Sequence, residues 1–201
     1  MKSNTFINII KPLAGSAYIL SDIIQFIKLY NSPNIGGFEP LTYILFILVN
    51  FSGFIFANNI YSADVILAYM GPVFVDALIV AYALHKEKKK KTFIFFLAGF
   101  IMFTLIYFAI IFNHPKLINK YSSYFGFVGA FLIPLSIILQ IIKVYKNKNS
   151  KGISKSSWIL QCVGNVALYF VLGKYTDLSA ISVSLFSGVL SFILIVLCYK
   201  Y

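Results

Sequence analysis

Seven apolar runs, each about as long as a bilayer's hydrocarbon is thick, follow one another with only short polar breaks between them. They fall at roughly 7–29, 39–57, 63–84, 92–112, 124–145, 155–173 and 179–199. About 20 apolar residues cross the hydrocarbon as a helix. Backbone polar groups in lipid must be paired within the segment, and these runs lack the alternation of barrel strands, so they read as helices. The chain is 60% hydrophobic and 11% charged, more apolar surface than a soluble fold of 201 residues can hide. The expected fold is an all-α integral membrane protein with seven transmembrane helices. The first run shows no clear small-residue cleavage site and reads as a helix that stays, not a signal peptide. No break is long enough for a soluble domain.

The formal net charge is +11, and all 17 basic residues are lysines. Nearly all lie between apolar runs, so the charge reads as a topology signal and not as a nucleic-acid surface. One side holds the 28–38, 85–91 and 146–154 loops and the C-terminus and, with the helix-end Lys28, Lys143 and Lys155, carries twelve lysines; the other holds five. The positive-inside rule then places the C-terminus in the cytoplasm and the N-terminus outside or in a lumen. The run "HKEKKKK" at 85–91 supplies most of the bias and reads as an anchor on anionic headgroups. Cys162 and Cys198 both fall inside apolar runs, and His85 and His114 sit in separate loops, so neither a loop disulfide nor a metal set is expected.

A repeat organises the runs. "IQFIKLYNSPNIGGFEPLTY" from Ile24 and "LQIIKVYKNKNSKGISKSSW" from Leu139 share Gln25/Gln140, an Ile-Lys-x-Tyr core and Gly37/Gly152, each pair 115 positions apart (140 − 25). Both copies lie on the lysine-rich side, at the end of the first helix of a three-helix unit, so the repeats are parallel. A three-helix unit enters on one side and leaves on the other. A second copy in the same orientation needs one extra crossing, which the fourth run supplies. The organisation expected is 3+1+3: a first unit over 1–84, a basic loop, linker helix and following loop over 85–123, and a second unit over 124–201.

These residues resemble the PQ-loop (MtN3/SWEET-like) transporters, whose pattern is Pro-Gln at a helix end, a basic stretch, then Gly-hydrophobic-Ser opening the next helix. The second copy offers Gln140, Lys143, Lys146, Lys148, Gly152, Ile153 and Ser154; the first offers Gln25, Lys28, Gly37 and Phe38. The family proline is replaced by Ile24 and Leu139, and Glu39 stands where the pattern has Ser.

Transporter sites lie near the midplane where repeats meet, and polar residues at that depth are costly. Asn50 and Asn165 are 115 apart in the second and sixth runs. Tyr43, Asn50 and Phe54 match Trp158, Asn165 and Tyr169, with offsets of seven and four that keep each set on one helical face. An amide donates and accepts, and aromatic rings pack on the C–H face of a pyranose. The resemblance agrees, since SWEET-type proteins carry an Asn in the second helix of each repeat. The alternative is interhelical glue and interfacial aromatics. The family's third-helix Asn is missing, with Met70 and Ser187 in its place. Asp76 and Asp22 lie inside the third and first runs without acidic counterparts: Ile137 matches Asp22, and Ser191 lies near the position of Asp76. Each can carry a coupling proton, bind a cationic substrate or hydrogen-bond a neighbouring helix. Glu39 and Asp64 open helices and read as first-turn charges. Pro12, Pro40, Pro72 and Pro134 are hinge or kink positions, with Gln25 and Gln140 at the hinge-like ends.

The resemblance implies a carrier that works by alternating access, without a cofactor and without enzymatic chemistry. The leading substrate is a mono- or disaccharide moving down its gradient, bound by Asn50 and Asn165. The second reading is a proton-coupled carrier of cystine or cationic amino acids using Asp76 or Asp22. The third is a sorting-receptor-like binding protein. The expected partners are the small-molecule substrate and the lipid bilayer, a homo-oligomer being compatible with either, and no nucleic acid.

Overall fold

The computed structural model describes residues 3–56, 63–172 and 178–201, with side chains over 16–56, 69–116, 120–167 and 183–201. These residues form seven helices: α1 Ser3–Asn31, α2 Pro40–Phe56, α3 Ala63–Lys86, α4 Lys90–Asn113, α5 Pro115–Asn147, α6 Lys155–Leu172 and α7 Leu178–Lys200. Each covers one expected run. The largest difference is at α5, which begins at Pro115, so residues 115–123 are helix where a loop was expected. Proline suits a first helical position because it lacks only an N–H that would be unpaired there. His114 alone separates α5 from α4, and its N–H still donates to Ile110 O at 2.9 Å.

Among the described residues, three helical segments are long and apolar enough to cross a membrane: Lys90–Asn113, Lys120–Asn147 and Val183–Lys200; Pro40–Phe56 is a shorter apolar helix. The chain is therefore an all-helical, multi-pass integral membrane protein.

α3 packs on α1 and α2, and α7 packs on α5 and α6. Between these sets, α1 meets α6 and α2 meets α5, while α4 touches α3 and α5. Advancing the helix number by four turns every pairing of the first set into one of the second. Lipid is as apolar as leucine, so such helices associate through close packing and polar pairs instead of hydrophobic burial. Glycines permit the approach: a Cβ at Gly164 would come within 3.2 Å of the Tyr18 ring.

Two apolar clusters hold the helices. One takes its buried members from every helix but α4, Leu29, Phe46, Ile79, Val144, Trp158 and Leu194 among them, and Phe93 and Phe96 of α4 pack against it. The other ties α4 to α2 and α3 through Phe51, Phe54, Met70, Tyr107 and Ile111. The Tyr107 hydroxyl donates to Phe51 O and fixes this face. Elsewhere on α4, Phe95, Ile101, Met102 and Leu105 are exposed.

The lysine-rich segments gather at one end. Lys86 Nζ donates to Leu29 O at 2.9 Å, Asn147 Nδ2 to Gly36 O at 2.8 Å, and Lys148 Nζ to the Tyr201 hydroxyl at 2.9 Å. Lys148 also stacks on Tyr145, its Nζ 3.6 Å from the ring centroid.

Candidate functional site

The two matched glutamines build the same device twice, each on the other copy's loop. Gln25 Nε2 donates to Gly152 O at 2.7 Å, and Gln25 Oε1 accepts the Ser154 N–H at 2.8 Å. Gln140 Nε2 donates to Gly37 O at 2.7 Å, and its Oε1 accepts the Glu39 N–H at 3.0 Å. Both glutamines are buried. Each amide thereby satisfies two backbone groups that would otherwise be orphaned ahead of a helix. The loops are matched turns, closed by Phe38 N–H to Ile35 O and Ile153 N–H to Ser150 O, and they cross through Gly37 N–H to Lys151 O. The crossing needs glycine. A Cβ at Gly37 would overlap the Asn149 carbonyl; Gly152 has φ +91° and a Cβ there would sit 2.9 Å from Ile35 Cα.

Glu39 replaces the expected serine without losing its task. Its Oε1 accepts the Leu41 N–H, capping α2, as Ser154 Oγ accepts the Ser157 N–H and caps α6. Lys143 Nζ lies 3.6 Å from Glu39 Oε2.

Above the clamp, α1 and α6 form a polar seam. Tyr18, Ser21, Asp22 and Gln25 recur at spacings that share one helical face. The Tyr18 hydroxyl donates to Asn165 Oδ1 at 2.9 Å. The Ser21 hydroxyl donates to Ser157 O at 3.0 Å and lies 2.9 Å from the Ser157 hydroxyl. Gln161 Nε2 approaches Asp22 Oδ1 at 3.5 Å. The related α5–α2 seam keeps only part of this. Thr42 Oγ1 donates to Ser136 O at 3.1 Å, the counterpart of the serine pair. Ile137 and Phe46 stand where Asp22 and Gln161 do, and Ile133 stands where Tyr18 does.

Without a tyrosine partner, Asn50 turns elsewhere. Its Nδ2 donates to Phe46 O at 3.0 Å and approaches Asp76 Oδ2 at 3.5 Å. Asp76 is wholly buried, and among the described residues its Oδ1 has no partner. In the other half Ser191 Oγ donates to Ser187 O at 2.9 Å, and the buried Ser187 hydroxyl has no partner among the described residues. So Asn50 is joined to Asp76, Asn165 to Tyr18, and Asp22 to Gln161.

The aromatic residues are placed differently from one another. Tyr43 and Trp158 are buried in the first apolar cluster; Tyr43 stacks on Phe38 at 5.1 Å, and Trp158 lies 6.4 Å from Phe46. Phe54 packs toward α4, 6.4 Å from both Tyr107 and Phe108. The side chains of Tyr169 and Pro12 lie outside the described residues, as does that of Asp64. Pro40 opens α2, while Pro72 and Pro134 lie inside α3 and α5. Among the described residues no group of three or more His, Cys, Asp or Glu is placed to hold a metal ion.

Residues 121–179 match the family described as PQ loop repeat. The match spans α5 from near its start, the loop and α6, and so contains Gln140, Gly152, Ser154 and Asn165. No curated protein matches the chain.

Tyr18, Gln161 and the Ser21, Ser157, Thr42 and Ser136 hydroxyl set were not anticipated. A polar residue inside an apolar run was the available signal, and Gln161 carried it: it sits four residues before Asn165, on the same face.

Proposed function

We propose that the chain is a PQ-loop carrier of a small polar solute, working by alternating access. The two parallel three-helix units, 1–84 and 124–201, rock about a pseudo-two-fold axis along the membrane normal, and the linker segment 85–123 carries α4 between them. Positive-inside orientation puts the lysine-rich end and the C-terminus in the cytoplasm. The matched packing of the two helix sets and the PQ loop repeat over 121–179 support this reading. In this conformation the paired glutamines hold the cytoplasmic end together; opening toward that side separates the crossed loops.

Between the two coupling modes, the geometry favours the proton-coupled carrier. One observation carries the choice: Asp76 is buried beside Asn50 with Oδ1 unpartnered. A bare carboxylate is expensive to bury, so such a group is compensated by a proton or by a cationic ligand. Asp76 would exchange that proton with the solution as the units rock, and Asn50 would report its state to the solute. Asp22, with its long contact to Gln161 on the α1–α6 seam, is the second candidate. The sugar uniporter needs amides offered to hydroxyls, and here Asn50 and Asn165 each commit one polar atom within the protein. An amino acid is the substrate class that follows, with Asn165 and Ser187 the second half of its site.

Proteoliposome uptake tests this. With an amino-acid panel and a sugar panel, an imposed proton gradient is expected to drive accumulation of an amino acid, and Asp76→Asn to abolish accumulation while sparing counterflow exchange. Sugar uptake indifferent to the gradient and to Asp76→Asn would overturn proton coupling and restore the uniporter.

A further inference from the structure

We propose that the groove beside the α3–α4 turn is a binding site for the headgroup of an anionic phospholipid. The groove has a volume of about 520 Å3 and is lined by Tyr82, His85, Lys86, Lys88 and Lys90, a size in the range of ligand sites. Lys86 is already committed: Nζ donates to Leu29 O and Tyr30 O at 2.9 and 3.3 Å and lies 5.3 Å from the Tyr82 ring centroid, which braces the wall. His85, Lys88 and Lys90 are exposed. Among the described residues none of the three has an ion pair. The nearest acid, Glu87, is taken by Lys89 at 2.6 Å. Like charges lining one groove repel, and an anion bound among them offsets that repulsion.

A continuous apolar surface identifies the anion as a lipid and not a soluble phosphate. Lys90 begins α4, and Ile94, Ile101, Leu105 and Phe112 follow at offsets that stay within about a sixth of a turn of it. All four are more than half exposed. A basic groove thus heads an uncovered apolar stripe running the length of α4. That matches a molecule with a phosphate at one end and acyl chains below it. The groove is at the lysine-rich end, where a topology anchor needs no more than diffuse attraction to the leaflet; a built groove requires selectivity between lysines.

The test uses the full chain in detergent, with phosphatidylglycerol or phosphatidylcholine added and retention read by native mass spectrometry. Preference for phosphatidylglycerol is expected to fall roughly tenfold in Lys88→Gln/Lys90→Gln. It should stay within about twofold in Lys146→Gln/Lys151→Gln, which removes equal charge from the same end outside the groove. Both pairs are exposed, and matching thermal melts would establish that the variants fold. Equal losses in the two variants would mean diffuse attraction and overturn the site. Displacement of the lipid by inorganic phosphate at comparable concentration would overturn the lipid assignment.

Discussion

Gly152 is held in place by two constraints at once. Its φ of +91° is open to few residues with a Cβ, and the Ile35 backbone leaves no room for one. Gly152→Ala is expected to destabilise the fold by about 1–3 kcal/mol, read as a lower melting temperature in detergent. A mutant that melts with the parent would mean that the crossing of the two loops is not tight. The glycine and the glutamine were visible in the sequence as a repeated skeleton. Their pairing was not, because Gln25 and Gly37 are near neighbours in the chain while the bonds run to Gly152 and from Gln140. A motif records which groups a turn needs but not which copy supplies them. The same blindness hid Tyr18: the amide of Asn165 announced itself as a polar group in an apolar run, while a tyrosine there could as well have belonged to an interfacial belt. Glu39 shows the converse, a departure from the family pattern that keeps the chemistry of a cap.

Helices show where the pseudo-symmetry stops. The α1–α6 and α5–α2 seams occupy equivalent places, yet Asp22 and Gln161 in one are Ile137 and Phe46 in the other. An orphaned buried polar group costs about 1–3 kcal/mol, whereas removing both partners together can be nearly neutral. Asp22→Ile and Gln161→Phe should therefore each lower stability, and the double variant, which copies the second seam onto the first, should recover most of the loss. Additive losses in a thermal-melt cycle would show that the 3.5 Å contact couples nothing. The apolar runs made every helix legible, since hydrophobic length is a strong signal in lipid. The early start of α5 was not, because "PKLINKYSS" is polar and a helix beyond the hydrocarbon leaves no hydropathic trace. The anchored face of α4 was not legible, because the acceptor of the Tyr107 hydroxyl is a backbone carbonyl of α2, which no side-chain pattern advertises.

The assembled molecule has two unlike ends. One collects the C-terminus, the 85–91 run and both crossed loops; the other carries the α4–α5 junction. Cysteines placed at Lys88 and at the C-terminal Tyr201 are expected to react from the same side of a sealed membrane, and one at Lys116 from the opposite side, in a background lacking Cys162 and Cys198. Labelling of Lys88→Cys and Lys116→Cys from one side would contradict an odd number of crossings between them. The proposed orientation rests on counting lysines, and the proposed doubling of the unit rests on the repeat. Which polar atoms the two seams use up was not legible, because that was set by tertiary partners.

The exchange of glutamines between copies bears on how such a chain comes into being. The first half, while the ribosome is still working on the second, has an amide with nothing to grip and a turn with nothing to fill it. Those unsatisfied groups mark the half as unfinished until its counterpart arrives. Completion is thus registered at two points simultaneously, and a fragment supplied in trans would have to answer both.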